Sequence, residues 1–330
     1  MQSVVPTRAL TTSSLTRLAA VVTAGLLCGW GGARADPPPA ALATAGGGLF
    51  VDCRGQPSAS PTVILESGAV GTSADWDLVL DDLAKAGRVC AYDRAGVGAS
   101  PPREGTQDVA AIAQELAALL DRMGETKPVI LVGHSNGALY IEAFAALWPA
   151  RVAGLVYING VNSDDLDHPA LLDDLAQERF LADMAVTGAQ LGLAPMVAQI
   201  LTDSSGLSGD AAERKSKALE DPDRLRVARD EDRAIIPGLT TVRGLGGSPP
   251  QIPTAVIVGA VDPRDDLAKA WRAAETAPAM RARSSWVLDA VGATHTSPLV
   301  RDRAYVTAAV DWLRSAHPPA PVRMLAGGQD

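Results

Sequence analysis

Four histidines and three cysteines in 330 residues leave little material for a metal centre. His134, His168, His295, His317, Cys28, Cys53 and Cys90 never approach ligand spacing, so no metal is expected. No glycine-rich phosphate cradle follows a strand. The glycines of Gly244-Leu245-Gly246-Gly247 run into Ser248-Pro249-Pro250 and read as a linker, so no cofactor is expected. Basic residues are also short: 29 Lys and Arg face 38 Asp and Glu, a net charge of −9. Phosphate backbones need clustered cations and none is visible, which excludes nucleic acid as a partner. Internal repeats are absent.

What is present begins with a leader-like stretch. Arg8 and Arg17 precede an uncharged, mostly apolar run from Leu18 to Trp30, and Ala33-Arg34-Ala35 supplies a small-x-small cleavage pattern. The run is shorter than the roughly 20 residues that span a bilayer. Residues 1–35 are therefore expected to be a cleavable signal peptide of a secreted or periplasmic protein, with no stable membrane anchor. A lipid on Cys28 is disfavoured by Leu27, which stands where a small residue is usual. Removing the leader leaves Cys53 and Cys90, a natural pair in an oxidising compartment, or else two buried thiols. A bridge would close a loop of about 38 residues, worth about 4 kcal/mol.

The Pro/Ala/Gly-rich residues 36–48 read as a linker. From residue 49 apolar runs alternate with helical patterns. Thr62–Leu65, Val89–Tyr92, Val129–Val132 and Leu155–Ile158 read as strands, and Trp76–Ala86, Val109–Met123 and Ala138–Leu147 as helices. This alternation predicts an α/β fold with a parallel sheet covered on both faces. It stops at residues 161–251, which are polar and helix-like, and resumes with the strand Thr254–Val258. The core is thus expected at 49–160 and 252–315, with 161–251 as a helical cap and 316–330 as a disordered tail. Within the cap, Leu191, Leu193, Met196, Val197, Ile200 and Leu201 form an apolar surface that either packs onto the core or lines a site.

Gly133-His134-Ser135-Asn136-Gly137 fits the G-x-S-x-G nucleophile elbow, led in by the apolar run 129–132 and led out by a helical one. A serine on a tight strand-to-helix turn is lifted above the sheet, and the flanking glycines allow the close approach. Its hydroxyl needs a base. His134 sits inside the elbow and is expected to point away, His168 lies in the cap and His317 in the tail. His295 follows the last strand, Ser285–Leu288, and so emerges at the same sheet edge as Ser135. The carboxylate that orients it is assigned to Asp262, just past the strand 254–258. Asp265, Asp266, Asp164 and Asp165 are competitors. Oxyanion donors are expected from the backbone N–H groups of Asn136 and Ala69.

The segments LESGAVG (65–71), YDRAGVGAS (92–100), VGHSNGA (132–138), VGAVDP (258–263) and GATHTSP (292–298) together resemble the α/β-hydrolase superfamily, across residues 49–315. The resemblance implies an eight-stranded sheet in which the strands bearing Cys53 and Cys90 are neighbours, which favours the disulfide. Ser67-Gly68 stands where the family commonly has His-Gly, leaving the second donor open between Ala69 and Val70. A serine at the elbow disfavours the haloalkane dehalogenases and epoxide hydrolases of the superfamily, which use aspartate there. The expected activity is hydrolysis of small or medium carboxylic esters through an acyl-enzyme. The alternatives are an amidase or peptidase with the same triad, and a non-catalytic binding protein on this fold.

Overall fold

The computed structural model describes residues 48–259 and 265–315. The expected leader, nearly all of the linker, Asp262 and the expected tail lie outside the described residues. Seven strands form one sheet: β1 (Val51–Arg54), β2 (Val63–Glu66), β3 (Val89–Tyr92), β4 (Val129–His134), β5 (Val152–Ile158), β6 (Thr254–Gly259) and β7 (Ser285–Ala290). Their order is β1-β3-β2-β4-β5-β6-β7. β1 runs antiparallel to β3 and every other pairing is parallel.

The count among the described residues is seven rather than the expected eight. Residues 55–62, GQPSASPT, join β1 to β2, and their two prolines cannot donate to a ladder. One antiparallel strand, not a hairpin, therefore borders the sheet there. Cys53 stands directly opposite Cys90 across β1 and β3, and the two form a disulfide. A chain that carries such a bridge fits an oxidising compartment.

The inner strands are near-continuous apolar runs because both sheet faces are covered. Side chains alternate strictly between faces. Ile64, Leu131 and Leu155 pack with α2 (Val109–Arg122) and α3 (Asn136–Leu147), through Ile112, Leu116, Leu139 and Phe144. Val63, Leu65, Ile130 and Val132 face the other way. They meet Val79, Leu80 and Leu83 of α1 (Asp77–Ala84) and Val306 and Val310 of α10 (Ala304–Arg314). The chain passes from β2 to β3 on one side and then returns to place β4 on the other side of β2. That reversal is a topological switch point, where open α/β sheets bind ligands.

Between β5 and β6 lie a 3₁₀ turn (Ser163–Asp167) and five α-helices: α4 (Pro169–Gly188), α5 (Ala194–Ser205), α6 (Gly209–Leu219), α7 (Pro222–Arg233) and α8 (Ile235–Gly244). Gly192, at φ 93°, breaks the run between α4 and α5. This insertion has its own small core of Val186, Ala189, Val197, Ala198, Leu219 and Leu225. Its two ends are stapled to one buried carboxylate on α3. Glu142 accepts from the Ser163 N–H and Oγ–H at 2.9 Å each, and from the Ser248 N–H at 3.0 Å. Burial pushes the Glu142 carboxyl up, and the Ser163 donors pull it back down.

The apolar set of residues 191–201 divides between the two expected roles and a third, outward-facing group. Val197 is in the insertion's core and Leu201 lines the cavity described below, but Leu191, Leu193, Met196 and Ile200 face outward, 44–77% exposed. The inward stripe is Val197, Ala198 and Leu201, at i, i+1 and i+4.

Candidate active site

β2 and β4 are neighbours with Glu66 opposite Gly133, so the segments that leave their carboxyl ends emerge side by side. Ser135 is the turn between β4 and α3 and sits at φ 54°, ψ −125°. A non-glycine residue there is strained by roughly 1–3 kcal/mol, a cost that persists only where surrounding structure enforces it. The enforcement is visible. A Cβ on Gly133 would lie 2.6 Å from the Gly137 carbonyl oxygen, one on Gly137 would collide with the Glu66 carbonyl, and one on Gly68 would lie 2.8 Å from Ser135 Cβ. Three glycines thus let strand, helix and the 67–71 turn converge on one serine.

That turn is braced by Ser67. Its hydroxyl accepts from Trp76 Nε1–H at 2.9 Å and donates to the Thr72 carbonyl at 3.1 Å. Among the nearby amides, Gly71 N–H is engaged by the Gly68 carbonyl and Ser135 N–H by the Ile158 carbonyl. Asn136 N–H, by contrast, opens α3 at the positive end of its dipole. Ala69 and Val70 both line the cavity, with Val70 at φ 49°.

The cavity has a volume of about 360 Å³ and is bounded by the 67–71 turn, His134, Ser135, His295 and the insertion. The insertion contributes an apolar wall, including Leu181, Ala185, Val186, Leu201 and Leu225. Its cations are already paired: Lys215 Nζ lies 2.5 Å from Asp75 and Arg229 lies 2.7 Å from Asp230.

The structure brings Ser135, His295, Ala69 and Asn136 to one end of the sheet, the first three of them on the cavity wall. The competing carboxylates are occupied elsewhere. Asp265 caps α9 (Asp266–Arg281), accepting from Leu267 and Ala268 N–H. Asp266 projects into solvent beside Lys269, Asp164 pairs with Arg281, and Asp165 accepts from Asn162 N–H.

Two residues that position the histidine loop were not anticipated. His134 does not turn away from the site: its ring lies against that of His295, centroids 4.7 Å apart, and its Nε2–H donates to the His295 carbonyl at 2.9 Å. Asn159, just past β5 at φ 42°, donates to the same carbonyl at 3.0 Å and accepts from Gly259 N–H at 3.2 Å. The ends of β6 and the histidine loop are thereby clamped together. The available signal was positional, since both residues sit at carboxyl ends of adjacent strands.

Burial lowers the His134 pKa from 6.5 to about 4. The unfolded chain takes up this proton below about pH 6.5, whereas native His134 stays neutral until about pH 4. Stability is therefore expected to fall as pH drops through that window, by up to about 3 kcal/mol from this group. Urea unfolding at pH 7 and pH 4 should show a smaller loss in His134→Gln, which keeps a donor but does not titrate. Equal losses in both proteins would refute this account.

A profile of the alpha/beta hydrolase family matches residues 63–309. An AB hydrolase superfamily protein of Gibberella zeae is 34% identical over 121 residues, covering 33% of this chain and 36% of its own. A candidate carbamate hydrolase, RutD of Variovorax paradoxus, is 39% identical over 105 residues, covering 31% and 39%. The chain thus spans well under half the length of these curated relatives. Among solved structures, a carboxylesterase of Nitrososphaera gargenis superposes with a TM-score of 0.58 at 17% identity, over 83% of this chain and 97% of that one. A candidate epoxide hydrolase of Pseudomonas aeruginosa gives 0.62 at 18%, over 80% and 94%. At such identities the structural likeness speaks for the fold alone. The family profile covers well over half of the chain, and with the sheet order and the elbow it makes this protein a member of the alpha/beta hydrolase family.

Proposed function

We propose that this chain is an exported serine hydrolase that cleaves carboxylic esters of small or medium acyl chains. The observation that carries the reading is Ser135, held at a positive φ by three close glycine approaches and opening, with His295, into one cavity. In this reading His295 takes the proton of Ser135 as Oγ attacks the carbonyl carbon. Asn136 and Ala69 N–H groups receive the oxyanion, and the tetrahedral intermediate collapses as His295 protonates the leaving alcohol. Water then repeats the sequence on the acyl-serine and regenerates the free hydroxyl. Asp262 orients His295 and stabilises its charged form. Residues 161–251 act as the cap, whose apolar wall and already paired cations, Lys215 with Asp75 and Arg229 with Asp230, favour neutral acyl groups.

Initial rates with p-nitrophenyl acetate through decanoate test the reading. Turnover should peak at butyrate to hexanoate and decline towards decanoate, as the acyl chain outgrows the apolar wall of the cavity. A profile flat across acyl length would sink the role given to the apolar wall. The carbamate hydrolase relatives justify adding a p-nitrophenyl carbamate and an anilide to the same panel. Turnover of these without turnover of esters would move the assignment to C–N bond cleavage by the same residues.

A further inference from the structure

Arg94 is fully buried, and all of its donor nitrogens are committed. Nη1–H groups donate to Glu66 Oε1 at 2.7 Å and to the Ser67 carbonyl at 2.6 Å, and Nη2–H donates to the Gly68 carbonyl at 3.0 Å. Nε–H and the other Nη2–H form a fork onto Glu231 Oε1 and Oε2, at 2.9 and 2.8 Å. The guanidinium also lies 5.0 Å from the Tyr140 ring centroid, on the helix behind the nucleophile. Gripping the Ser67 and Gly68 carbonyls fixes the peptide planes that lead into Ala69. The next residue of the same insertion helix, Asp232, accepts from Asn136 Nδ2–H at 3.0 Å. Adjacent carboxylates of α7 therefore engage both halves of the oxyanion site, one through Arg94 and one through Asn136. A residue that merely roofed a pocket would need neither contact.

We infer that Glu231 and Asp232 are positioning residues that make the cap a structural part of the oxyanion hole, rather than only a cover over the substrate. The inference rests on the reading of Ser135 as nucleophile and of Asn136 and Ala69 as donors. Removing Asp232 frees the Asn136 side chain and with it the orientation of the first peptide of α3. The expected loss falls on transition-state stabilisation, not on substrate affinity.

The test measures kcat, KM and the second-order rate of inactivation by a fluorophosphonate, whose phosphoryl oxygen occupies the oxyanion position as it modifies serine. Asp232→Ala should lower kcat and the inactivation rate together by about tenfold to a hundredfold, short of full loss of a donor, with KM changed less than threefold. Asp232→Asn keeps an acceptor for Asn136 and should stay within about threefold of wild type. Asn136→Ala should cost about as much as Asp232→Ala, and the double variant no more than either alone. Asn136→Ala also carries the test should Asp232→Ala fail to fold. An Asp232→Ala protein labelled at the wild-type rate, or altered in KM alone, overturns the inference while leaving the serine mechanism intact. Wild type that labels no faster than Ser135→Ala overturns both.

Discussion

Ser135→Ala is expected to lower ester turnover by about 10⁶-fold, and His295→Ala by a similar factor. The double variant should be no slower than either single one, because a nucleophile without its base, or a base without its nucleophile, has already lost the covalent route. The measurement is the initial rate of p-nitrophenyl butyrate hydrolysis at neutral pH, with near-ultraviolet circular dichroism to show that each variant is folded. Ser135→Ala removes one oxygen from a partly exposed side chain, and the close approach of Gly68 to it is at Cβ, which alanine retains. Its stability should therefore change little, which isolates the chemical effect. Retention of even a tenth of the wild-type rate would remove Ser135 from the mechanism.

Much of this arrangement could be read from sequence because it is local or periodic. The runs VILE, VILVGH and TAVIVG announce strands buried on both faces, and their alternation with amphipathic helices gives the parallel sheet. The elbow is five consecutive residues whose spacing encodes a steric need, and the collisions at Gly133 and Gly137 are that need made explicit. His295 was reachable by elimination among four histidines. Contacts between distant segments had no such trace. Arg94 sits in DRAGVGAS, which reads as a turn, and nothing local shows that its charge bridges Glu66 and Glu231, 137 residues away. The contact of His134 with the histidine loop has no local sign either, since its position inside the elbow does not show what its ring meets. Its ring is in fact drawn to a carbonyl 161 residues further on. The outward apolar residues Leu191, Leu193, Met196 and Ile200 have no trace in the sequence either, since helical periodicity marks a stripe but not what covers it.

β6 and β7 are parallel neighbours with Gly259 opposite Ala290, so their carboxyl ends lie level. Asp262 is three residues beyond Gly259, and His295 is five beyond Ala290. Asn159 holds the two departures together by accepting from Gly259 N–H and donating to the His295 carbonyl. Three residues of chain reach at most about 10 Å, at about 3.3–3.6 Å per extended residue. Asp265 follows Asp262 three residues later, but the Leu267 and Ala268 N–H groups at the start of α9 depend on its carboxylate. The two aspartates therefore predict opposite results. Asp262→Asn should lower kcat by about 10⁴-fold while leaving KM near wild type, because an amide at that position favours the wrong imidazole tautomer. Asp265→Asn should keep nearly full activity, since asparagine caps a helix about as well as aspartate. Loss of activity in the second variant and not the first would transfer the orienting role to Asp265. α9 would then begin at a residue that gives up its cap to serve the site, and its first turn should fray in hydrogen exchange.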